Sequence, residues 1–265
     1  MRDDMTGKLV KFEVADEIAT VTLDRPDQLN ALYGDMRNEL YDAIAMALGR
    51  ARVLVITGAG RAFCSGGDVK FMAELRRKND VESARQLIES GRRIVELLRE
   101  LPIPTLAAIR GVAAGAGLSL ALACDLRIAA SDARLGASFS RVGLHPDWGA
   151  TYFLPRLVGT GMACEMIFTG RMLGAEEALR VGLVNRVVDL AEFPERVSEM
   201  ARELAEAPPR SVRLAKEAVY DAARASLDQM LDYEEEAQVE CFESEDALEG
   251  LTAFAEKRRP RFQGN

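Results

Sequence analysis

Histidine occurs once in this chain of 265 residues, as His145, and no Gly-x-Ser-x-Gly segment is present, so a serine-hydrolase triad has no nucleophile turn to be built on. The four cysteines, Cys64, Cys124, Cys164 and Cys241, are widely spaced without a Cys-x-x-Cys pair. Neither a zinc site nor a disulfide scaffold is indicated, and a reducing cytoplasm is the expected compartment. No apolar run reaches the length of a membrane span. Basic tracts are missing too: Arg258-Arg259-Pro-Arg261 is the nearest approach, and a formal net charge of -8 argues against a nucleic-acid backbone as partner. The opening residues Met1 to Gly7 are polar and carry two aspartates, unlike a secretory signal or an Arg-rich transit peptide. What is present is apolar material, 48% of residues against 29% charged, which suffices for one sizeable core.

Strand and helix patterns alternate over the first two-thirds of the chain. Leu9 to Val14 and Ile18 to Leu23 read as a strand pair, Met36 to Leu48 as an amphipathic helix, and Arg52 to Thr57 as a buried strand. Val81 to Glu100 gives a helix ended by Pro102, Thr105 to Ile109 a strand, Leu118 to Ala123 a helix and Leu126 to Ala130 a strand. Such alternation predicts an α/β fold of β-β-α turns with mainly parallel pairing. After Val188 only helical patterns follow, over Phe193 to Ala207, Arg210 to Ala225, Leu227 to Phe242 and Asp246 to Arg258. The chain therefore divides into a core over residues 1–190 and a helical part over 191–265. Met230, Leu231, Tyr233 and Phe242 stand among acids in that second part and suit self-association.

Two glycine-bearing loops, Gly58-Ala-Gly-Arg-Ala-Phe-Cys-Ser-Gly-Gly-Asp68 and Gly111-Val-Ala-Ala-Gly-Ala-Gly117, each follow an apolar strand and each open a helix. Neither has the spacing of a phosphate or dinucleotide loop. Small residues at such a turn let a ligand approach the main chain, and a helix N-terminus adds positive potential. The pair reads as an oxyanion hole, with the Gly67 and Ala116 N–H groups as donors; a plain strand-to-helix turn is the alternative for each loop alone.

Four segments occur in order: Thr22-Leu-Asp-Arg-Pro-Asp-Gln-Leu-Asn-Ala-Leu32, Gly60-Arg-Ala-Phe-Cys-Ser-Gly-Gly-Asp-Val-Lys70, Gly111 to Asp125, and Gly143-Leu-His-Pro-Asp-Trp-Gly149. In that order the chain resembles the enoyl-CoA hydratase/isomerase (crotonase) superfamily, from about Val10 to Phe262. The resemblance implies a spiral of β-β-α units and a C-terminal helical region that forms trimers or dimers of trimers. It also implies an acyl-CoA thioester substrate, with no cofactor beyond the coenzyme A that the substrate carries, and no nucleic-acid or membrane partner. Arg25, Asn30 and Ala31 match the segment lining the nucleotide end of coenzyme A, and Lys70 follows the first oxyanion loop. Phe254 and Lys257 match residues that reach the coenzyme A of a neighbouring subunit; a core phenylalanine and solvated lysines are the alternatives. Met72 to Ala84, charged and helix-prone, matches a variable flap over the acyl pocket, with a plain surface helix as the alternative.

Hydratases of this family carry two glutamates, at positions occupied here by Ser119 and Phe139. Water addition needs a base and an acid, so their loss weakens a hydratase reading. Ser119 is left as a candidate to hold a water. The acid that remains is Asp147, beside Trp148 and Phe139, where family isomerases place a carboxylate; its alternative is a helix N-cap before Tyr152 to Val158. One carboxylate that takes a proton from one carbon and returns it to another makes an isomerase, with a hydratase, another lyase or a non-catalytic acyl-CoA binder as alternatives. The stretches Gly111 to Gly117, Ser138 to Asp147 and Phe153 to Gly159 are similar to the subgroup that isomerises epoxidised phenylacetyl-CoA. Asp68 reads as a helix cap, Asp125 and Arg127 as a structural pair, and His145 as a wall residue. No metal site is expected.

Overall fold

A computed structural model describes residues 9–265; the Met1 to Gly7 segment lies outside the described residues. The main sheet begins with a hairpin of β1 (Val10–Ala15) and β2 (Ile18–Leu23). β2 pairs in parallel with β3 (Val53–Gly58), β3 with β4 (Thr105–Ile109), β4 with β6 (Leu126–Ala130) and β6 with β9 (Arg186–Val188). Between these strands run α1 (Met36–Ala45), α2 (Val69–Arg77), α3 (Val81–Glu100) and α4 (Ala116–Ala123). The central strands are mostly apolar, as suits strands covered on both faces. Leu54, Ile56, Ala107, Ile109 and Ala129 join the large core inside the spiral. Val53, Val55, Leu106, Ala108, Ile128 and Ala130 face Phe193, Met200, Ala201 and Ala205 of α7 (Phe193–Ala205).

A second sheet consists of three strands of three residues each. β5 (Val112–Ala114) pairs in parallel with β7 (Arg134–Gly136), which pairs antiparallel with β8 (Met172–Gly174). Beyond the 3-10 turn Ser138–Val142, α5 (Ala150–Thr169) breaks at Gly159, and α6 (Ala175–Arg180) leads to β9. Both the core and the C-terminal helices follow the α/β reading. α8 (Pro209–Asp221) and α9 (Leu227–Phe242) follow α7, with α9 started by a capping box between Ser226 and Gln229, and α10 (Glu245–Glu256) completes the set. No helix of the described residues is long and apolar enough to cross a membrane.

Asp125 does not pair with Arg127, contrary to the sequence reading. Its carboxylate accepts from Thr105 N at 2.7 Å, from Lys216 Nζ at 2.8 Å and from the Tyr220 hydroxyl, which ties α8 to the start of β4. Arg127 instead donates to the Leu183 and Cys124 carbonyls. Burial and the facing Asp125 charge push the Tyr220 hydroxyl well above its usual range.

Candidate active site

The two glycine loops lie side by side because the backbone stitches them together. Cys64 N donates to Val112 O at 3.0 Å, Ala114 N donates back to Cys64 O at 2.9 Å, and Leu32 N donates to Gly66 O at 2.8 Å. A Cβ on Gly66, whose φ is +97°, would lie 2.7 Å from Ala114 O and 3.4 Å from Ala116 N; one on Gly117 would lie 2.1 Å from Cys64 O. Glycine is therefore required where the loops cross. Gly115, with φ 52° and ψ -126°, turns β5 into α4 and leaves Ala116 N at the first position of a fully buried helix. Among the described residues, neither Gly67 N nor Ala116 N donates to a protein acceptor. Ala116 N is buried at a helix start and Gly67 N is half-buried just before the cap of α2; donors left free in such places are suited to an oxygen that gains charge.

Supporting residues hold this frame. Asn30, fully buried, donates through Nδ2 to Ala59 O and Ala62 O and accepts from Arg25 N. Cys64 Sγ donates to Asn30 O at 3.1 Å, and burial pushes the thiol up to about 11, so it is unreactive at neutral pH. Arg25 donates to Ala31 O and pairs with Asp68 Oδ2 at 2.8 Å, stacking over the Tyr33 ring. Asp68 caps α2 through Lys70 N and Phe71 N, as its sequence position suggests. The charged segment after it forms α2, a turn at Lys78–Asp80, and α3; Met72 of α2 packs over Gly67.

Asp147 is not a helix cap. The residue before α5 is Gly149, with no side-chain cap bond, and Asp147 Oδ1 is buried without a partner. Desolvation pushes its carboxyl up to about 6, opposed by the charge of Arg37, then by a hydrogen bond from its own backbone N–H and, least, by His145. Trp148 next to it is buried with φ 51°, its indole laid against Gly91 of α3, where a Cβ would come within 1.9 Å of Nε1. The Phe139 ring packs beside Gly115, at the foot of the second donor loop, and presents no carboxylate there. Ser119 is fully buried and spends its hydroxyl on Gly115 O one turn back, at 3.2 Å. His145 is exposed, with Nδ1 at 2.6 Å from Pro146 O.

Arg37 was not singled out in the sequence, yet it stands in this site. It is only 5% exposed, and its Nε and Nη1 have no hydrogen-bond partner. Nη2 lies 3.7 Å from the place a Cβ on Gly67 would occupy. Burial lowers its pKa and the Asp147 charge opposes that shift. A signal existed: Arg37 falls at the helical spacing of Leu40 and Ile44, on the apolar face of α1. By contrast, the predicted coenzyme A contacts are spread out. Lys70 is exposed, Phe254 is 87% exposed and so is not a core residue, and Lys257 ends α10 in a left-handed conformation.

Comparison with known proteins agrees with this architecture. Residues 13–265 match the family model described as enoyl-CoA hydratase/isomerase. A short-chain-enoyl-CoA hydratase of Clostridium acetobutylicum is 38% identical over 94% of this chain and 95% of its own. A 1,2-epoxyphenylacetyl-CoA isomerase of Escherichia coli is 37% identical, covering 93% and 95%. The crystal structure of an enoyl-CoA hydratase from Bacillus anthracis superposes with a TM-score of 0.91 at 37% identity, covering 97% of this chain and 100% of that one. The chain has the crotonase fold and belongs to the enoyl-CoA hydratase/isomerase family.

Proposed function

We propose that the protein is an enoyl-CoA isomerase in which the Gly67 and Ala116 N–H groups grip the thioester oxygen and Asp147 moves the proton. Removing a proton beside a thioester carbonyl puts negative charge on that oxygen, and each preorganised donor is worth about 3 to 4 kcal/mol to such an enolate. The carboxylate takes the C2 proton, the electron pair moves through the enolate, and the acid form returns the proton at C4. A carboxyl held at about 6 is balanced between these two duties near neutral pH. The observation that carries the reading is the desolvated Asp147 carboxyl, whose buried Oδ1 has no partner, combined with Ser119 and Phe139 at the places of the two hydratase glutamates. The name of the Clostridium acetobutylicum relative favours a second reading, hydration of a 2-enoyl-CoA, with Asp147 activating the water. Isomerisation of 3-butenoyl-CoA in D2O separates the chemistry. One shielded carboxyl predicts 2-butenoyl-CoA that retains at C4 part of the protium taken from C2; complete deuteration at C4 contradicts a single shuttle.

The acyl-CoA is placed by Arg25, Ala31 and Lys70 in this reading, with Phe254 and Lys257 serving the nucleotide bound by an adjoining subunit. Self-association through the C-terminal helices, as a trimer or a dimer of trimers, is supported by the exposed Leu227, Leu231, Val239, Phe242, Leu251 and Phe254. A monomer by sedimentation velocity at micromolar concentration contradicts it.

A further inference from the structure

Arg37 and Asp147 stand near enough for each charge to act on the other, and each keeps buried polar atoms without a partner. Arg37 leaves Nε and Nη1 without partners, and Asp147 leaves Oδ1 without one. Each charge acts on the other, yet no ion pair closes between them among the described residues. Leaving buried charged groups without hydrogen bonds is expensive, so the arrangement is suited to a ligand atom that completes it. The chemistry of the pair selects that atom. An alkyl chain would leave both groups unsatisfied. A carboxylate would suit Arg37 but face the negative charge of Asp147. A neutral oxygen accepts from the guanidinium and, as a hydroxyl, donates to the carboxylate, or as a carbonyl accepts from both groups when Asp147 is protonated.

We propose that Arg37 is a specificity-determining residue that, across from Asp147, holds a neutral oxygen close to the thioester. The oxygen belongs either to an acyl group oxygenated near C3 or to a water delivered to that carbon. The proximity to the thioester rests on the reading of Gly67 as an oxyanion donor, since Nη2 of Arg37 flanks that residue.

The test uses full-length protein, wild type, Arg37→Met and Arg37→Lys, with Trp148 fluorescence or calorimetry following the binding of butyryl-CoA and acetoacetyl-CoA. Wild type is expected to prefer acetoacetyl-CoA by about tenfold or more, the scale of a charged hydrogen bond. Arg37→Met is expected to lose most of that preference, and Arg37→Lys to keep part of it. Because it removes a charge to which the protein gives no hydrogen bond, Arg37→Met is expected to melt no lower than wild type. A second arm compares hydration of 2-butenoyl-CoA with isomerisation of 3-butenoyl-CoA. If that rate ratio falls by about tenfold in Arg37→Met, the oxygen is water's. If it holds while the acetoacetyl preference is lost, the oxygen is the substrate's. The proposal is overturned if Arg37→Met leaves both ratios as in wild type, weakens both ligands equally, or melts well below wild type. The binding arm uses ligands that undergo no double-bond shift, so it stands or falls independently of the Asp147 shuttle.

Discussion

Activity and stability should run in opposite directions across the pH range in which Asp147 titrates. Its folded-state value is raised from 3.8 to about 6 by burial. The folded protein therefore binds more protons than the unfolded chain between those values, and this group's contribution falls as pH rises through 6. The shift corresponds to about 3 kcal/mol, and discounting it for solvent at this half-buried residue leaves about 2 kcal/mol as the working figure. Stability from this group is full below about pH 4 and lost above about pH 6. Catalysis needs the ionised form to accept the C2 proton. With a value of about 6, roughly one-tenth of the protein is competent at pH 5 and roughly nine-tenths at pH 7. Two assays check this: kcat/KM for 3-butenoyl-CoA against pH, and urea unfolding of ligand-free wild type and Asp147→Asn at pH 5 and 7. The stability difference between variant and wild type should move by about 1 to 2 kcal/mol in favour of the variant as pH rises. Wild-type kcat/KM flat between pH 5 and 7, or identical pH dependence of stability in the two proteins, refutes the reasoning.

Two more outcomes follow from the packing. Gly91→Ala places a methyl group on the Trp148 indole, so the fluorescence of the single tryptophan should shift and isomerisation should fall by about tenfold to a hundredfold through misplacement of the neighbouring Asp147. An unchanged emission spectrum with wild-type kcat contradicts the contact. Lys216→Met leaves Asp125 with only neutral donors and should cost about 3 kcal/mol in urea unfolding, a loss that Asp125→Asn in the same protein should partly recover. A variant as stable as wild type shows that the latch between α8 and β4 carries no weight.

The two candidate donor loops were legible in the chain because small residues mark where a backbone can be approached. Gly67 and Ala116 lie in such loops, and the strands before them are continuous apolar runs that pattern alone identifies. β5, β7 and β8 leave no pattern in the sequence because three residues are too few to establish a period. Asp147 stood out as an acid after a proline; the helix cap that was its alternative reading is ruled out because Gly149 occupies the cap position. The Asp125 to Lys216 link spans 91 positions, and no local rule ties such residues together. Arg37 shows a different failure: a charged residue on a helix is assumed to face water, although its spacing from Leu40 and Ile44 put it on the buried side.

The most direct test is the rate of 2-butenoyl-CoA formation from 3-butenoyl-CoA, followed by ultraviolet absorbance, in wild type and Asp147→Asn, with acyl-CoA binding measured alongside. The account predicts kcat lower by about a hundredfold or more in the variant, the scale of a lost general acid/base, with binding retained. A variant that turns over within a few-fold of wild type contradicts Asp147 as the proton carrier.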